Sequence, residues 1–202
     1  MLYKYKQLLE SYLNKDKIIC HITGPSGAGK TTILKYLKES YPQFEYLDLD
    51  DLEKMATESL KYVGIKRYQY TDNMYKKLNL KKQQIFDKML SKSNKQWVLA
   101  GHHTEYPRIY HSADSKVHII SGEGNNYMLK IPTSNRFFLK ITPEESVKRF
   151  KSRSEKNGKT VFKEDLNLLK KNAINVIKLF KQIGYKEMSS DNILNWFKQN
   201  VI

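Results

Sequence analysis

The chain has 202 residues, 40% of them hydrophobic, and a formal net charge of +15. That length suits a single domain with a sizeable core, and the hydrophobic share excludes a disordered chain. No stretch approaches the roughly 18 consecutive apolar residues of a membrane span, so no membrane partner is expected. Met1-Leu2-Tyr3-Lys4-Tyr5-Lys6 lacks the apolar run of a signal peptide. The single Cys20 permits no intramolecular disulfide, which suits a reducing, cytoplasmic setting. Excess positive charge concentrates polyanions, which makes nucleotides expected partners and nucleic acid a candidate one. A lysine-rich solvated surface explains the same charge equally well.

Taken in order, Tyr5, Leu8, Leu9, Tyr12 and Leu13 recur at helical spacing and predict a helix over 3–14. The apolar run Ile18–Ile22 reads as a buried parallel strand. It leads into Gly24-Pro25-Ser26-Gly27-Ala28-Gly29-Lys30-Thr31-Thr32, which matches G-x-x-x-x-G-K-[ST] at every required position. Glycines let such a loop turn its amides toward phosphate oxygens, and the start of the next helix, expected from Thr31 to Lys38, adds partial positive charge. Lys30 is placed to reach the β- and γ-phosphates of ATP, and the Thr31 hydroxyl to bind Mg²⁺.

Phe44 to Leu49 predicts the second strand. Asp50 stands three residues before Glu53, the spacing of a capping box, and predicts a helix that runs to Val63 and ends at Gly64. With strand geometry kept up to its end, Asp48 and Asp50 would point to one side. Residues 64–73 form a polar, tyrosine-rich connection. Met74 to Leu90 marks a longer helix or helix pair, and Trp97–Ala100 a third strand. Lys116–Ile120 and Tyr127–Ile131 predict an inserted hairpin around the turn 121–126. Arg136–Ile141 is the fourth strand. Thr142-Pro143-Glu144-Glu145 opens a helix, with threonine as cap and proline in its first position, that reaches about Arg153. A short polar segment, 154–160, follows. A long helix runs from Phe162 to Ile183 and stops at Gly184. Tyr185–Met188 is the fifth strand, and Asp191 caps the last helix.

These elements predict a three-layer α/β/α fold of the P-loop NTPase class, with a five-stranded parallel sheet and an inserted β-hairpin. One domain covers 1–202: a core of 17–102 and 136–202, an insertion at about 103–135, and a short segment at about 153–161 that the resemblance given next implies is a lid.

Beyond the phosphate loop, three places resemble the small-molecule and nucleoside monophosphate kinases of the P-loop class. Tyr46-Leu47-Asp48-Leu49-Asp50-Asp51 is similar to the strand-two D-x-D of the shikimate and gluconate kinases. Pro143-Glu144-Glu145 through Arg149, Arg153 and Gly158-Lys159 resembles a fourth-strand helix and lid. Ile183-Gly184-Tyr185 with Ser189-Ser190-Asp191 resembles a fifth strand and closing helix. The resemblance implies an ATP- and Mg²⁺-dependent kinase acting on a small molecule, either a metabolite hydroxyl or a nucleoside monophosphate. It implies that Arg149 and Arg153 close over the phosphates, and that Asp50 serves a hydroxyl acceptor as base. Many P-loop proteins carry an acid at the end of the third strand. Here that place is Ala100-Gly101-His102-His103, so the metal role moves to Asp48 beside Thr31. Two other readings stay open: a 5′-hydroxyl polynucleotide kinase using the basic surface, and a nucleotide-binding protein without transfer activity.

Overall fold

The computed structural model describes residues 17–65, 69–102, 108–111, 117–120, 131–158, 161 and 163–201. The helix expected over 3–14 lies outside them. Five strands form one parallel sheet: β1 (Ile18–Thr23), β2 (Glu45–Asp48), β3 (Trp97–Ala100), β6 (Arg136–Leu139) and β7 (Lys186–Met188), ordered β2-β3-β1-β6-β7. β1 lies at the centre, with Ile22 opposite Ala100 on one side and Phe137 on the other. All six of its residues are buried, as a strand covered on both faces requires.

The side chains of the sheet divide between two faces with period two. Val98, Ala100, Phe137 and Leu139 pack with Ile33, Leu34 and Leu37 of α1 (Lys30–Ser40) and Ile193 and Phe197 of α6 (Ser190–Val201). On the other face, Trp97 and Leu99 meet Leu52 of α2 (Leu49–Ser59) and Phe86 and Leu90 of α3 (Asp72–Lys92). There Phe138 meets Val176 and Phe180 of α5 (Lys163–Gln182). α4 (Pro143–Lys156) packs against α5. This is the expected three-layer architecture.

Several local expectations need correction. Asp50 does not cap α2. The helix starts earlier, at Leu49, and Asp48 is its cap, with Oδ1 accepting from the Asp50 amide at 3.1 Å. Asp50 therefore belongs to the first turn of a helix and not to a strand end, so the two aspartates do not share the geometry of extended backbone. The same helix ends at Ser59, well before Gly64. Lys61 takes the left-handed conformation, φ 58°, while the Lys61 and Tyr62 amides return to the Glu58 and Thr57 carbonyls. That pattern closes a helix, here without glycine. Residues 74–90 lie in one helix, α3. α4 continues to Lys156, so the expected polar segment begins as helix, and Asn157 and Gly158 close it. Ser189, not Asp191, caps α6, its Oγ accepting from the Asn192 amide at 3.2 Å.

The inserted hairpin pairs differently from expectation. β5 (Val117–Ile120) coincides with a predicted strand, yet its antiparallel partner is β4 (Arg108–His111), which precedes it. The strand and turn expected over 121–130 lie outside the described residues. Among the described residues, no helix is long and apolar enough to cross a membrane.

Candidate active site

The phosphate loop joins the C-terminal end of β1 to the first turn of α1. Gly29 sits at the helix cap in the left-handed region, φ 96°, and Gly27 is also left-handed at φ 79°. Gly24 is forced by space: a Cβ there would stand 3.1 Å from the Ala28 Cβ and 3.2 Å from the Leu139 Cβ. The Ala28 amide donates to the Pro25 carbonyl at 3.1 Å, which tightens the turn. Thr31 and Thr32 lie exposed at the start of α1.

Lys30 folds back over this loop, its Nζ donating to the Gly24 carbonyl at 2.8 Å and the Pro25 carbonyl at 3.0 Å. Burial lowers its pKa to about 8, against the opposing pull of Asp50 and Asp48, while Arg153 adds a smaller push in the same direction as burial. Those three charges therefore act on one ammonium group. The Thr31 hydroxyl donates to Asp48 Oδ2 at 3.1 Å, joining the loop to β2. Burial raises the Asp48 pKa, and the Asp50 amide and Thr31 hydroxyl counter it. One hydroxyl and one carboxylate are a fitting donor set for Mg²⁺, a hard cation that keeps most of its waters. Gly101 guards this corner, because a Cβ on it would press on the Leu49 amide at 3.1 Å and on Asp48 Oδ1 at 3.2 Å.

α4 forms the outer wall. Its cap is Thr142, whose Oγ1 accepts from the Glu145 amide at 3.1 Å, as the sequence predicts. Arg149 Nε binds Glu145 Oε1 at 2.8 Å, and its Nη1 lies 3.5 Å from the Gly27 carbonyl. Arg153, one turn further, stands over the Phe150 ring at 5.8 Å. The lid position Lys159 lies outside the described residues. Asp50 is exposed in the first turn of α2. The residues singled out in the sequence thus meet at one edge of the sheet: the loop, Lys30, Thr31, Asp48, Asp50 and both arginines.

The His102 ring stacks on Phe180 of α5, with ring centres 5.9 Å apart. Tyr62, Tyr70 and Tyr75 come together at the far end of the α2–α3 pair, with ring centres 5.5 Å and 5.3 Å apart. Two features escape sequence reasoning. His21, fully buried in β1, has Nε2 2.9 Å from the Gly101 carbonyl and Nδ1 2.7 Å from the Tyr185 hydroxyl. A carbonyl only accepts, so Nε2 carries a proton. Ser146, also fully buried, donates to the Ser26 carbonyl at 2.6 Å. None of these contacts leaves a local signal, because they join residues 80 to 164 positions apart.

Comparison with known proteins agrees with this geometry. The family described as "AAA domain" matches residues 21–170. No curated protein matches the chain. Among solved structures, a shikimate kinase from Acinetobacter baumannii in complex with shikimate is 14% identical, with a TM-score of 0.52. That match covers 95% of this chain and 99% of the other. TT1252 from Thermus thermophilus is 17% identical, with a TM-score of 0.57, over 92% of this chain and 98% of the other. Identities this low speak to fold alone. With the loop, the strand order and the family match in agreement, the chain belongs to the AAA-domain family of P-loop proteins and has the kinase-like form of that fold.

Proposed function

We propose that the protein is a phosphotransferase that moves the γ-phosphoryl group of ATP to the hydroxyl of a small molecule. The observation that carries this reading is the hydrogen bond from Thr31 to Asp48, which brings a carboxylate beside the phosphate loop where the third strand has none. Phosphoryl transfer asks for charge neutralisation and in-line placement more than covalent help. The loop amides and the start of α1 hold the phosphates. Lys30 exchanges its two loop carbonyls for phosphate oxygens. Thr31 and Asp48 hold Mg²⁺, which when bound neutralises charge on those oxygens. Arg149 and Arg153, on one face of α4, screen the charge that develops on the transferred group.

Asp50 serves the acceptor. It is exposed, and its carboxylate acts on the Lys30 charge, so it stands near the terminal phosphates. An alcohol is a poor nucleophile at neutral pH, and a carboxylate that takes its proton accelerates transfer by roughly 10²–10⁴. A phosphate acceptor needs no such base. The test is an ATP-consumption screen over polyols, hydroxy acids, nucleosides, nucleoside monophosphates and 5′-hydroxyl oligonucleotides, repeated with Asp50→Asn. The expected result is turnover on a hydroxyl compound that falls about a hundredfold or more in the variant, with the melting temperature preserved. Turnover on a nucleoside monophosphate that survives the substitution would overturn the hydroxyl assignment.

The +15 charge favours a second reading, a 5′-hydroxyl polynucleotide kinase. It requires oligonucleotide binding that weakens steeply with salt.

A further inference from the structure

We propose that Ser146 is a positioning residue for the phosphate loop. By holding the Ser26 carbonyl against α4, it sets the Ser26–Gly27 peptide so that the Gly27 N–H faces the terminal phosphates of a nucleoside triphosphate. The proposal rests on the nucleotide-binding reading above and extends it to a residue outside the loop motif.

The peptide unit is planar and trans, so its C=O and N–H point in opposite directions. The Ser146 hydroxyl fixes the first at 2.6 Å, which fixes the second away from α4. Something has to choose this orientation. Turning that peptide over rotates ψ of residue 26 and φ of residue 27 in compensation, and glycine tolerates φ of either sign. Gly27, at φ 79°, is thus the residue that makes the flip cheap. The flipped loop would present a carbonyl oxygen, not an N–H, to phosphate, turning attraction into repulsion.

The contact is built closely. A Cβ on Gly27 would come within 3.0 Å of the Ser146 carbonyl and 3.2 Å of the Arg149 Cβ, so the α4 backbone lies directly against the loop. Ser146 is fully buried in the first turns of a helix whose own start is secured by Thr142 and Pro143. Its amide donates to the Thr142 carbonyl at 3.0 Å, so its position follows from that helix start. One turn on, Arg149 reaches the Gly27 carbonyl from the same face. One stretch of α4 therefore orients the loop and carries an arginine of the site.

The experiment compares Ser146→Ala, Ser146→Thr and Thr133→Ala in the full chain, by calorimetric titration with ATP and thermal melting. Thr133 is a buried hydroxyl residue just before β6, at the end of the sheet away from the loop, and its Oγ1 accepts from the Asn135 amide, so it serves as the control for loss of a buried hydrogen bond. Loss of one hydrogen bond that orients a binding group predicts about a five- to tenfold weaker ATP affinity for Ser146→Ala. Ser146→Thr, which restores the hydroxyl, should return to within about twofold of wild type, and Thr133→Ala should stay there. Ser146→Ala binding ATP like wild type overturns the proposal, as does an equal loss in Thr133→Ala. Wild-type protein that binds neither ATP nor inorganic triphosphate overturns the nucleotide reading, and this inference with it.

Discussion

Lys30 carries its charge in a setting that burial makes unfavourable, with two carbonyls as its hydrogen-bond partners. Its pKa of about 8 has two consequences with opposite signs. Free protein loses the ammonium above that pH, so ATP affinity should fall about tenfold per pH unit there, with proton uptake on binding. Calorimetry in buffers of different ionisation enthalpy measures that uptake, and a pH-independent affinity up to pH ~10 would show that Lys30 does not meet the phosphates. Stability moves the other way. Between about 8 and the ordinary value of 10.5 the unfolded chain holds more protons on this lysine than the folded one, so its contribution to stability rises with pH across that window. Lys30→Met should remove this rise in urea melts and nearly abolish ATP-dependent turnover. At Asp48, asparagine caps a helix as well as aspartate does, so Asp48→Asn should keep α2 and the melting temperature while weakening the Mg²⁺ dependence of activity. An unchanged Mg²⁺ titration would assign the metal to another group.

At the scale of elements, the end of α2 offers a clean test. Lys61 holds a left-handed conformation that costs an L-residue roughly 1 kcal/mol and glycine almost nothing. Lys61→Gly should raise stability by up to about 1 kcal/mol, or a few degrees in melting temperature, and a fall would mean that the lysine side chain supports the turn in another way. This turn also shows what a sequence conceals. Gly64 is the natural stop by sequence, but helix closure depends on which carbonyls the chain can return to, and Lys61 and Tyr62 reach theirs first. Asp50 offers itself as a cap in the sequence for a related reason. Either aspartate has the right chemistry, and only the exit direction of β2 decides between them. β1, β3 and the phosphate loop were legible because their signals are local: a buried apolar run, a glycine pattern, a proline. The partner of β5 was not, because strand pairing is chosen across space. In the candidate site, the loop and Thr31 could be named from spacing, and Asp48 and the two arginines from the family resemblance. Ser146 could not, since a serine among the polar residues of a helix carries no mark of what it touches.

The whole molecule adds charge to these local features. α2 carries Asp50, Asp51, Glu53 and Glu58 against Lys54, whereas α3 and α5 are lysine-rich, so the +15 is unevenly spread and the helix that carries Asp50 is acidic. For the acceptor site proposed at Asp50, that distribution favours a compact acceptor over a strand of nucleic acid. The expected outcome is weak oligonucleotide binding at low salt that disappears by physiological salt, measured by fluorescence anisotropy. Tight binding that persists with a steep salt slope would restore the polynucleotide reading. ATP should raise the melting temperature as a ligand of the folded state, by the equivalent of about 2.7 kcal/mol at a hundredfold excess over Kd.

The clamp on the loop also dictates when the site can exist while the chain is being made. β1 and the loop are finished by residue 31, but β1 must wait for β3 at 97–100 and for β6 at 136–139, and the loop waits further for Ser146. At roughly 5–20 residues per second, a ribosome needs several seconds to deliver those partners. Until β3 is made the apolar strand Ile18–Thr23 has neither of its neighbours, and until α4 is made the phosphate loop has no wall. A nascent chain arrested at residue 102 should therefore fail to retain ATP although it already contains every residue of the loop motif, and one extended past residue 156 should gain it. The nucleotide becomes a reporter of the moment at which the outer helix docks.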